Sequence, residues 1–441
     1  MDRSYDVTGK RELFIDDLLI DQKRNAGLKL HYPIEQPSSP DKPDGHYLTV
    51  MKDPRQYWLF YRGMDTVYQG SNYSNNPGEF VGVARSHDGL RWELPELNRF
   101  PGQSVPANTL FYGKDAITHN FVPFYDASPD CPPEARYKAV AGVKETNGLF
   151  AFHSADGLNW KQYGNVPVIP FEPQKAGGYM LDSQNVAFYS ECEKCYVMYL
   201  RVWKTADGLT GLRSFAKTTS RDFLHWSKFE FLTVNRKDEH LYVSGLAPYV
   251  RAPQIYVGAA TRYFGDRGSA TDVTLLFSRG GKGIVRPFPG AWINPGLDPE
   301  RWLNRMNYIA WGIVQNGENE LILYHNRKKL MYKLRTDGFI SLSSGLQTGT
   351  VLTEVLSHRR CGLELNLSTS AGGFFQLEVC DENANAIPGF TFKDMEPFWG
   401  DRIGWEPEWK GGKFSDLPGG RFRLRLRMKE CDLFSIHFQK E

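Results

Sequence analysis

Five short polar strings recur along the chain, and three of them contain a carboxylate. Cleavage of a glycosidic bond needs one carboxylic acid that protonates the leaving oxygen and a second carboxylate that attacks or activates water. The two acids need environments that separate their pKa values. The three carboxylates fit this chemistry, and we predict that they are catalytic: Asp44, Asp182 and Glu239. The strings are Asp44-Gly45-His46, Thr118-His119-Asn120, Asp182-Ser183-Gln184-Asn185, Asp238-Glu239-His240 and Asn304-Arg305-Met306-Asn307.

Each predicted catalytic carboxylate also has a purely structural alternative. Asp44 follows Pro43 and could be a turn residue. Asp182 could cap the first amides of a strand, and Glu239 could be an exposed member of the charged run 236–239.

Polar and aromatic side chains near these strings are predicted to bind the substrate. Imidazoles and amides can bond to sugar hydroxyls: His46, His119, Asn120, Gln184, Asn185, His240 and Asn307. Aromatic rings can stack on sugar faces: Trp203, Tyr242 and Trp311. Three arginines could bind a carboxylate or sulfate, hold a catalytic acid in place, or pack structurally between strands: Arg201, Arg251 and Arg262.

A repeated turn indicates the elements that must position these residues. The pattern S-x-D-(G/F)-x-x-W occurs three times, and fainter echoes follow at Gly280 and Asp337, so that the turn recurs at a nearly constant spacing. The clear copies have their third position at Asp88, Asp156 and Asp222. Asp, Ser and Gly favour tight turns, and the Trp is large enough to pack between neighbouring sheets. A fixed period of this size is typical of repeat architectures.

Each turn follows a β-rich run, so each repeat is predicted to be a four-stranded sheet. Such sheets repeated radially make a β-propeller, here with five blades. Unrelated hairpins in a β-sandwich are the alternative. In a propeller the innermost strands begin around one central funnel, so the five polar strings are predicted to converge there.

The fold class is therefore predicted as all-β, with a five-bladed propeller in residues 1–343 and a C-terminal β-sandwich in residues 344–441. Residues 11–22 are predicted to form the N-terminal strand that closes the last blade. In the tail, residues 421–429 alternate with period two, which places Phe422, Leu424, Leu426 and Met428 inward. The arginines between them face outward, either solvated or gripping an anionic glycan.

Bulk composition excludes several classes of partner. The formal net charge is +2 over 441 residues, so nothing global demands nucleic acid or an anionic membrane. No apolar run approaches the roughly 18 residues of a membrane span. Residues 1–10 lack the apolar segment of a signal peptide, which predicts a cytoplasmic protein or one whose leader was removed.

Cys192 and Cys195 form one C-x-x-C, and we expect a hairpin turn with two free thiols rather than a metal site.

Several strings resemble a known group of enzymes: Phe14-Ile15-Asp16-Asp17, His119-Asn120-Phe121, Asp182-Ser183-Gln184-Asn185-Val186-Ala187-Phe188, His240-Leu241-Tyr242, Arg251-Ala252-Pro253, Arg335-Thr336-Asp337-Gly338-Phe339 and Asp432-Leu433-Phe434-Ser435. They are similar to bacterial fructosidase-like or family-32-like proteins. These lie in the superfamily of five-bladed propeller glycoside hydrolases, with invertases, arabinanases, β-xylosidases and neoagarooligosaccharide hydrolases.

The resemblance implies a base or nucleophile on the first blade, an Asp on a middle blade and a Glu as acid. Carried over by position, these are Asp44, Asp182 and Glu239. The chain departs from the invertase signature Asn-Asp-Pro-Asn-Gly, because Lys42-Pro43-Asp44-Gly45-His46 stands there, and it has no Arg-Asp-Pro.

The favoured hypothesis is a glycoside hydrolase that uses no cofactor and cleaves an oligosaccharide from one end. A non-catalytic glycan-binding propeller is the first alternative, and a lyase or a phosphorylase with a basic phosphate cradle is the second. The sequence is compatible with a structural calcium ion and with a homo-oligomer, although no D-x-D-x-D calcium loop occurs.

Overall fold

The computed structural model describes residues 4–71, 73–172, 180–208 and 210–440. The chain divides into two compact units. The propeller unit comprises Ile34–Asn316 and Leu321–Lys333. The C-terminal unit comprises Met1–Pro33, Gly317–Glu320 and Leu334–Glu441. Within the described ranges, no helix is long and apolar enough to cross a membrane.

Five antiparallel sheets form the blades and confirm the predicted propeller. In each blade the first strand named here is the inner one. Blade one contains His46–Lys52, Tyr57–Met64, Glu79–Ser86 and Thr109–Tyr112. Blade two contains Val122–Tyr125, Tyr137–Val143, Gly148–Ser154 and Trp160–Gln162, with Ile169–Pro170 at its side. Blade three contains Val186–Ser190, Cys195–Lys204, Thr210–Ser220 and Glu230–Phe231.

Blades four and five depart slightly from this plan. The inner strand of blade four is split into His240–Val243 and Leu246–Tyr249, and it is followed by Ala252–Phe264, Ala270–Arg279 and Lys282–Val285. Blade five contains Val314–Asn316, Glu320–Tyr324, Leu330–Arg335 and Ile34–Pro37. Short 3₁₀ helices connect these strands at Ala116–Thr118, Pro133–Ala135, Lys144–Thr146, Gly265–Arg267 and Pro299–Trp302.

The S-x-D turns form as their residue types predict. Oδ1 of Asp88 accepts hydrogen bonds from the backbone amides of Leu90 (2.7 Å) and Arg91 (2.8 Å). Gly89 between them has a φ of 71°. The same pair of amide bonds recurs at Asp156 and Asp222. One turn chemistry therefore ends the third strand of blades one, two and three.

The tryptophans after two of these turns join neighbouring blades. The ring of Trp92 meets Tyr324 of blade five with the centroids 5.6 Å apart. Trp160 meets Phe60 of blade one at 6.5 Å. These contacts confirm the predicted packing of the tryptophans between sheets, which buries apolar surface along the blade boundaries.

The ring closes between blades five and one. The backbone N–H of Val50 donates to the carbonyl of Trp311 (2.7 Å), and that of Trp311 donates to Leu48 (2.9 Å). The N-terminal strand that completes blade five is Ile34–Pro37, whose residues pair with 330–333.

The predicted closing strand, residues 11–22, lies elsewhere. Arg11–Leu13 pairs with Gly420–Lys440, and Ile20–Arg24 pairs with Gly349–Thr353, all within the C-terminal unit. Its apolar residues pack into the core of that unit: Phe14, Leu19 and Ile20. The apolar pattern predicts a strand here correctly, but it carries no information about the partner.

The C-terminal unit is all-β and follows the predicted sandwich class. Its two long strands, Cys361–Cys380 and Gly420–Lys440, pair antiparallel along most of their length. The remaining strands are Tyr5–Asp6, Arg11–Leu13, Ile20–Arg24, Ala26–Leu30, Ile340–Ser344, Gly349–Thr353, Leu356–His358, Asp401–Trp405, Glu408–Trp409 and Gly412–Lys413, with a 3₁₀ helix at Phe414–Asp416.

The alternation in residues 421–429 has the predicted faces. The four apolar side chains are buried in the core of the unit: Phe422, Leu424, Leu426 and Met428. On the other face Arg423 pairs with Asp21, Arg425 with Glu378, and Arg427 bonds to Gln376. The arginines on this face are therefore paired with protein side chains and do not form a free basic stripe.

Candidate functional site

The propeller unit contains a cavity of about 490 Å³ at the edge where the inner strands begin. Its volume lies within the roughly 300–1,000 Å³ typical of small-ligand sites. The polar side chains that line it come from several blades: His46, Tyr47, Arg62, Tyr73, Ser74, Glu79, His119, Asp182, Asn304, Arg305, Tyr308, Asn326 and Arg327. The predicted convergence of strand starts therefore holds for blades one, two, three and five.

The backbone shows why these starts resemble one another. Each of the five has one non-glycine residue in the left-handed region, with φ values of 51°, 53°, 68°, 59° and 53° at Tyr47, Asn120, Leu181, Asp238 and Arg305. A bulky residue rarely adopts this conformation, and such residues cluster at functional sites. At Tyr47 the kink coincides with a register shift against the neighbouring strand. The same kink recurs at all five strand starts, including that of blade four, whose residues do not line the cavity.

Asp182 is the most accessible carboxylate that lines the cavity. Its side chain is 33% exposed, and its Oδ2 lies 3.3 Å from Nη2 of Arg201, which is 1% exposed. The Arg201 guanidinium also stacks over the ring of Tyr242, 4.9 Å from its centroid. Arg201 thus contacts the carboxylate from behind, and Tyr242 supports Arg201; that Arg201 holds a catalytic acid stays a prediction.

Glu79 is a second lining carboxylate, and the sequence analysis missed it. The Glu79 and His119 side chains are each only 3% exposed, and Oε2 of Glu79 lies 2.7 Å from Nδ1 of His119. The backbone amide of Asn75 donates to Oε1 of Glu79 (3.0 Å). Burial and the nearby Arg62 guanidinium lower the pKa of His119, so its imidazole is neutral at physiological pH. Arg62 also donates to Oδ1 of Asn120 (2.9 Å).

Asp44 lies at the start of blade one, next to the lining residue His46. Its side chain is 37% exposed, and Oδ1 accepts a hydrogen bond from Nζ of the fully buried Lys42 (3.0 Å). Burial lowers the pKa of Lys42 to about 8, although Asp44 favours the charged form. Burial also lowers the pKa of His46 to about 3, together with the charges of nearby arginines.

Glu239 is not among the residues that line the cavity. Its two carboxylate oxygens accept hydrogen bonds from Arg286 at 2.6 and 3.0 Å, and Oε2 also accepts from the amide of Arg236. Burial alone would raise the pKa of Glu239, but these bonds hold it below its usual value. A general acid needs the opposite shift. The structure therefore gives Glu239 an internal ion pair instead of the predicted position in the funnel.

The predicted amides act inside the protein. Nε2 of Gln184 donates to the carbonyls of Tyr47 (3.3 Å) and Leu48 (3.1 Å) and to Oγ1 of Thr49 (3.0 Å). Asn185 bonds to the carbonyls of Leu181 and Ser183. Because Gln184 and Asn185 are buried and bonded to the backbone, they fix the strand starts rather than face the cavity.

Asn120 and Asn307 are also held by protein groups. Nδ2 of Asn120 donates to the carbonyl of Ser183 (3.0 Å), which links blades two and three. Asn307 is fully buried, and its Oδ1 accepts from Nε and Nη2 of Arg301 at 3.2 and 3.0 Å. Both asparagines therefore brace the blades.

The blade-four candidates also lie outside the cavity lining. Nδ1 of His240 accepts from the amide of Arg213 (3.1 Å), and burial lowers the pKa of His240. Arg262 forms a two-pronged ion pair with Asp272 at 2.7 and 2.6 Å. Trp203 of blade three is also outside the cavity lining, and its ring lies under the guanidinium of Arg213, which is 4.4 Å from the ring centroid.

A second, more apolar cavity of about 350 Å³ lies where the inner strands end. Trp311 lines it and donates from Nε1 to the carbonyl of Leu246 (3.1 Å). Arg251 lies in the hairpin turn between Tyr249 and Ala252, and its neighbours Val250 and Pro253 line the same cavity. Trp311 and Arg251 are thus separated from the lining carboxylates.

The first cavity, of about 490 Å³, is also lined by tyrosines and arginines that the sequence alone does not single out as binding residues. The rings of Tyr47 and Tyr308 meet edge to face, with the centroids 6.1 Å apart. Burial raises the pKa of both phenols well above 10, so they are neutral hydrogen-bonding groups. The string containing Arg305 was identified as polar, but Arg327 lies in a hairpin turn between two later strands, and no pattern marked it.

Neither a family model nor a curated protein matches the chain. Among solved structures, the chain is similar to the β-1,2-mannobiose phosphorylase from Listeria innocua, with 11% identity, a TM-score of 0.47 and coverage of 69% of this chain and 96% of that one. It is also similar to the GH32 β-fructofuranosidase of Bombyx mori, with 12% identity, a TM-score of 0.41 and coverage of 93% and 94%. Likenesses this weak leave the activity of the chain to be inferred from its own cavity.

Proposed function

We propose that the chain is a glycoside hydrolase that cleaves an oligosaccharide from one end, with Asp182 and Asp44 as the catalytic carboxylates. The observation that carries the proposal is the position of Asp182. It is an accessible carboxylate at the wall of a polar cavity, and a buried arginine orients it from behind. Glycosidic bond cleavage needs a carboxylate in such a setting.

The second carboxylate needs to be reachable from the same cavity. Asp44 is 37% exposed and adjoins lining residues, whereas Glu79 is 3% exposed and bonded through both oxygens. A group enclosed in this way suits positioning rather than proton transfer to a substrate. Asp44 is therefore the partner we assign to Asp182, and Glu79 orients His119 and Arg62.

In this pairing the two carboxyl groups have different catalytic roles. One carboxyl group protonates the leaving glycosidic oxygen, and the other attacks the sugar or activates water. The phenols of Tyr47 and Tyr308 hold sugar hydroxyls, because buried neutral phenols both donate and accept. Action at a chain end is part of the proposal, and action within a chain would instead need a groove open on two sides.

The test is sugar release from a broad panel of neutral and acidic oligosaccharides, measured by chromatography and mass spectrometry. The wild type should release a terminal sugar, and Asp182→Asn and Asp44→Asn should each lower the rate by about 10²-fold or more. Asp130→Asn is the matched control, because Asp130 is exposed in a loop after the inner strand of blade two. Its rate should equal that of the wild type.

Two results would overturn the proposal. Oligosaccharide binding without release by the wild type would indicate a glycan-binding propeller. Release that persists in Asp182→Asn, with the variant shown to be folded by circular dichroism, would place the chemistry elsewhere.

A further inference from the structure

We infer that the cavity contains a subsite for an oxyanion, formed by Arg305, Arg327 and the phenol of Tyr308. The ligand group is a carboxylate, sulfate or phosphate, carried either by an acidic sugar or by free inorganic phosphate. The inference rests on the proposed function, because it names the class of substrate or co-substrate that the same cavity takes.

The balance of charge in the lining is the first observation. Three arginines and two carboxylates line the cavity, and Asp44, which is paired with Lys42, adjoins the lining. Arg62 lies 4.0 Å from Glu79 and is bonded to Asn120, and Asp182 is paired with Arg201 behind the wall. The two lining carboxylates are thus already engaged by other arginines.

The guanidinium groups of Arg305 and Arg327 donate hydrogen bonds only to neutral groups among the residues that the structure describes. Arg305 donates to Oδ1 of Asn304 (3.0 Å) and to the phenol oxygen of Tyr242 (3.3 Å). Arg327 donates to the sulfur of Met306 (3.3 Å). A guanidinium has five N–H donors, so each side chain keeps several for a ligand.

Two guanidinium groups in one concavity, of which Arg327 is partly compensated by the charge of Asp44, create a local positive potential. Burial and the charge of Arg305 lower the pKa of Arg327, although Asp44 opposes this shift. The pKa of His46 is likewise lowered by burial and then by Arg62, Arg327 and Arg305. An oxyanion bound here would offset this repulsion, and guanidinium forks match the geometry of carboxylate and phosphate oxygens.

Buried polar atoms without partners are the second, independent observation. The phenol oxygen of Tyr308 and Oδ1 of Asn326 are buried and have no hydrogen-bond partner among the described residues. Tyr308 is 6% exposed and Asn326 is 3% exposed, and both line the cavity. Buried polar groups are almost always hydrogen-bonded in folded proteins, so a ligand is the natural partner.

The two orphan atoms also restrict the ligand. The Tyr308 phenol can donate to an oxyanion beside the arginines, whereas Oδ1 of Asn326 can only accept. The ligand must therefore carry an O–H donor as well as its charged oxygens. An acidic sugar satisfies this with a ring hydroxyl, and hydrogen phosphate satisfies it with its own proton.

The experiment measures binding by isothermal titration calorimetry, so it does not depend on turnover. The probes are glucuronate, inorganic phosphate and glucose, each titrated into wild type, Arg305→Gln, Arg327→Gln and Arg221→Gln. Arg221 is the matched control, because it is exposed in the turn after the third strand of blade three. Thermal unfolding of each variant shows that it is folded, and Arg327→Gln carries the test if Arg305→Gln does not fold.

The wild type should bind glucuronate or phosphate, more weakly at high salt, and at least about tenfold more tightly than glucose. Each cavity variant should lose about tenfold in that affinity, while Arg221→Gln should match the wild type. Equal affinity for glucose and glucuronate with no binding of phosphate, or anion binding that both cavity variants retain, would overturn the inference.

The same titrations separate the two sources of the oxyanion. Tight glucuronate binding that phosphate displaces only weakly supports an acidic sugar. Tight phosphate binding with little glucuronate binding supports a phosphate co-substrate. In that case an oxygen of hydrogen phosphate attacks the anomeric carbon, the glycosidic bond breaks, and the leaving oxygen takes a proton from the catalytic carboxyl group, which hydrogen phosphate then reprotonates. The products are a sugar 1-phosphate and a shortened glycan. Anion binding in a protein that releases no sugar would uphold the subsite and reject the proposed hydrolase.

Discussion

The Nδ1 atom of His119 lies 2.7 Å from Oε2 of Glu79, and both side chains are almost fully enclosed in the cavity wall. The backbone amide nitrogen of Asn75 also lies 3.0 Å from Nδ1, and Nη1 of Arg62 lies 3.0 Å from Nδ1 and 3.1 Å from Nε2. Oε1 of Glu79 lies 4.0 Å from Nη1 of Arg62. Glu79 therefore holds the ring of His119 and the guanidinium of Arg62 in position.

Replacement of Glu79 by glutamine should destabilise the propeller unit by about 1.5 to 3 kcal/mol, the typical loss for a hydrogen bond to a charged group. The change keeps the shape but removes the charge between His119 and Arg62. Urea unfolding followed by tryptophan fluorescence measures the effect. Glu96→Gln, at an exposed position, is the control and should unfold like the wild type. Equal stability of both variants would show that the Glu79 contact is energetically neutral.

The sequence predicts the blades far better than it predicts the wall of the cavity. The S-x-D turns and their tryptophans follow from local residue chemistry, so the five-bladed ring could be derived from spacing alone. Glu79 was missed because a single Glu at the head of an apolar strand resembles a surface residue. The partner of Glu239 is Arg286, and nothing in the local sequence of either residue marks such a distant pair. Local patterns specify strands, whereas pairing across blades depends on the folded ring.

Glu239→Gln should separate a structural role from a catalytic one. Loss of the carboxylate charge leaves the buried guanidinium of Arg286 bonded to the carbonyls of Val234 and Pro289 but without its counter-ion, and breaking a buried ion pair typically costs about 3 to 5 kcal/mol. We expect a lower unfolding midpoint in urea and a normal rate of sugar release below that midpoint. A variant with full stability but abolished release would instead restore Glu239 as a catalytic acid.

Gln184→Met should weaken substrate binding through Tyr47. The substitution keeps the length of the side chain but removes the donor from the carbonyl of Tyr47, which costs about 1 to 3 kcal/mol, whereas the carbonyl of Leu48 keeps the backbone amide of Trp311. Tyr47 is already held in the left-handed region, so its ring should shift when that bond is lost. In steady-state kinetics KM should rise more than kcat falls. Gln103→Met, at an exposed position, is the control and should leave both KM and kcat unchanged. Unchanged KM and kcat in Gln184→Met would show that Gln184 has no positioning role.

Gly312→Ala should open the ring where blade five meets blade one. A Cβ at position 312 would lie 1.8 Å from the carbonyl oxygen of Val50, and the φ of Gly312 is 111°. The backbone would have to move at the strand contact that closes the propeller, at a cost of at least about 3 kcal/mol. The thermal unfolding midpoint should fall sharply. Gly290→Ala, whose added Cβ meets no atom within 4 Å, should be tolerated, and equal midpoints for the two variants would contradict the described closure.

Lys42 should make stability depend on alkaline pH in an unusual direction. Burial lowers its pKa from 10.5 to about 8 in the folded protein, so between these values the unfolded chain binds more protons than the folded one. Stability must then rise with pH in that window, by up to about 1.4 kcal/mol per pH unit, and the destabilising effect of the buried charge is complete below pH 8. Lys42→Met cannot titrate, so the difference in unfolding free energy between wild type and variant should grow in favour of the wild type from pH 8 to about 10.5. Other lysines and tyrosines cancel in this difference. Parallel curves for the two proteins would mean that Lys42 keeps an ordinary pKa, and a difference that shrinks with pH would mean that its charge stabilises the fold through Asp44.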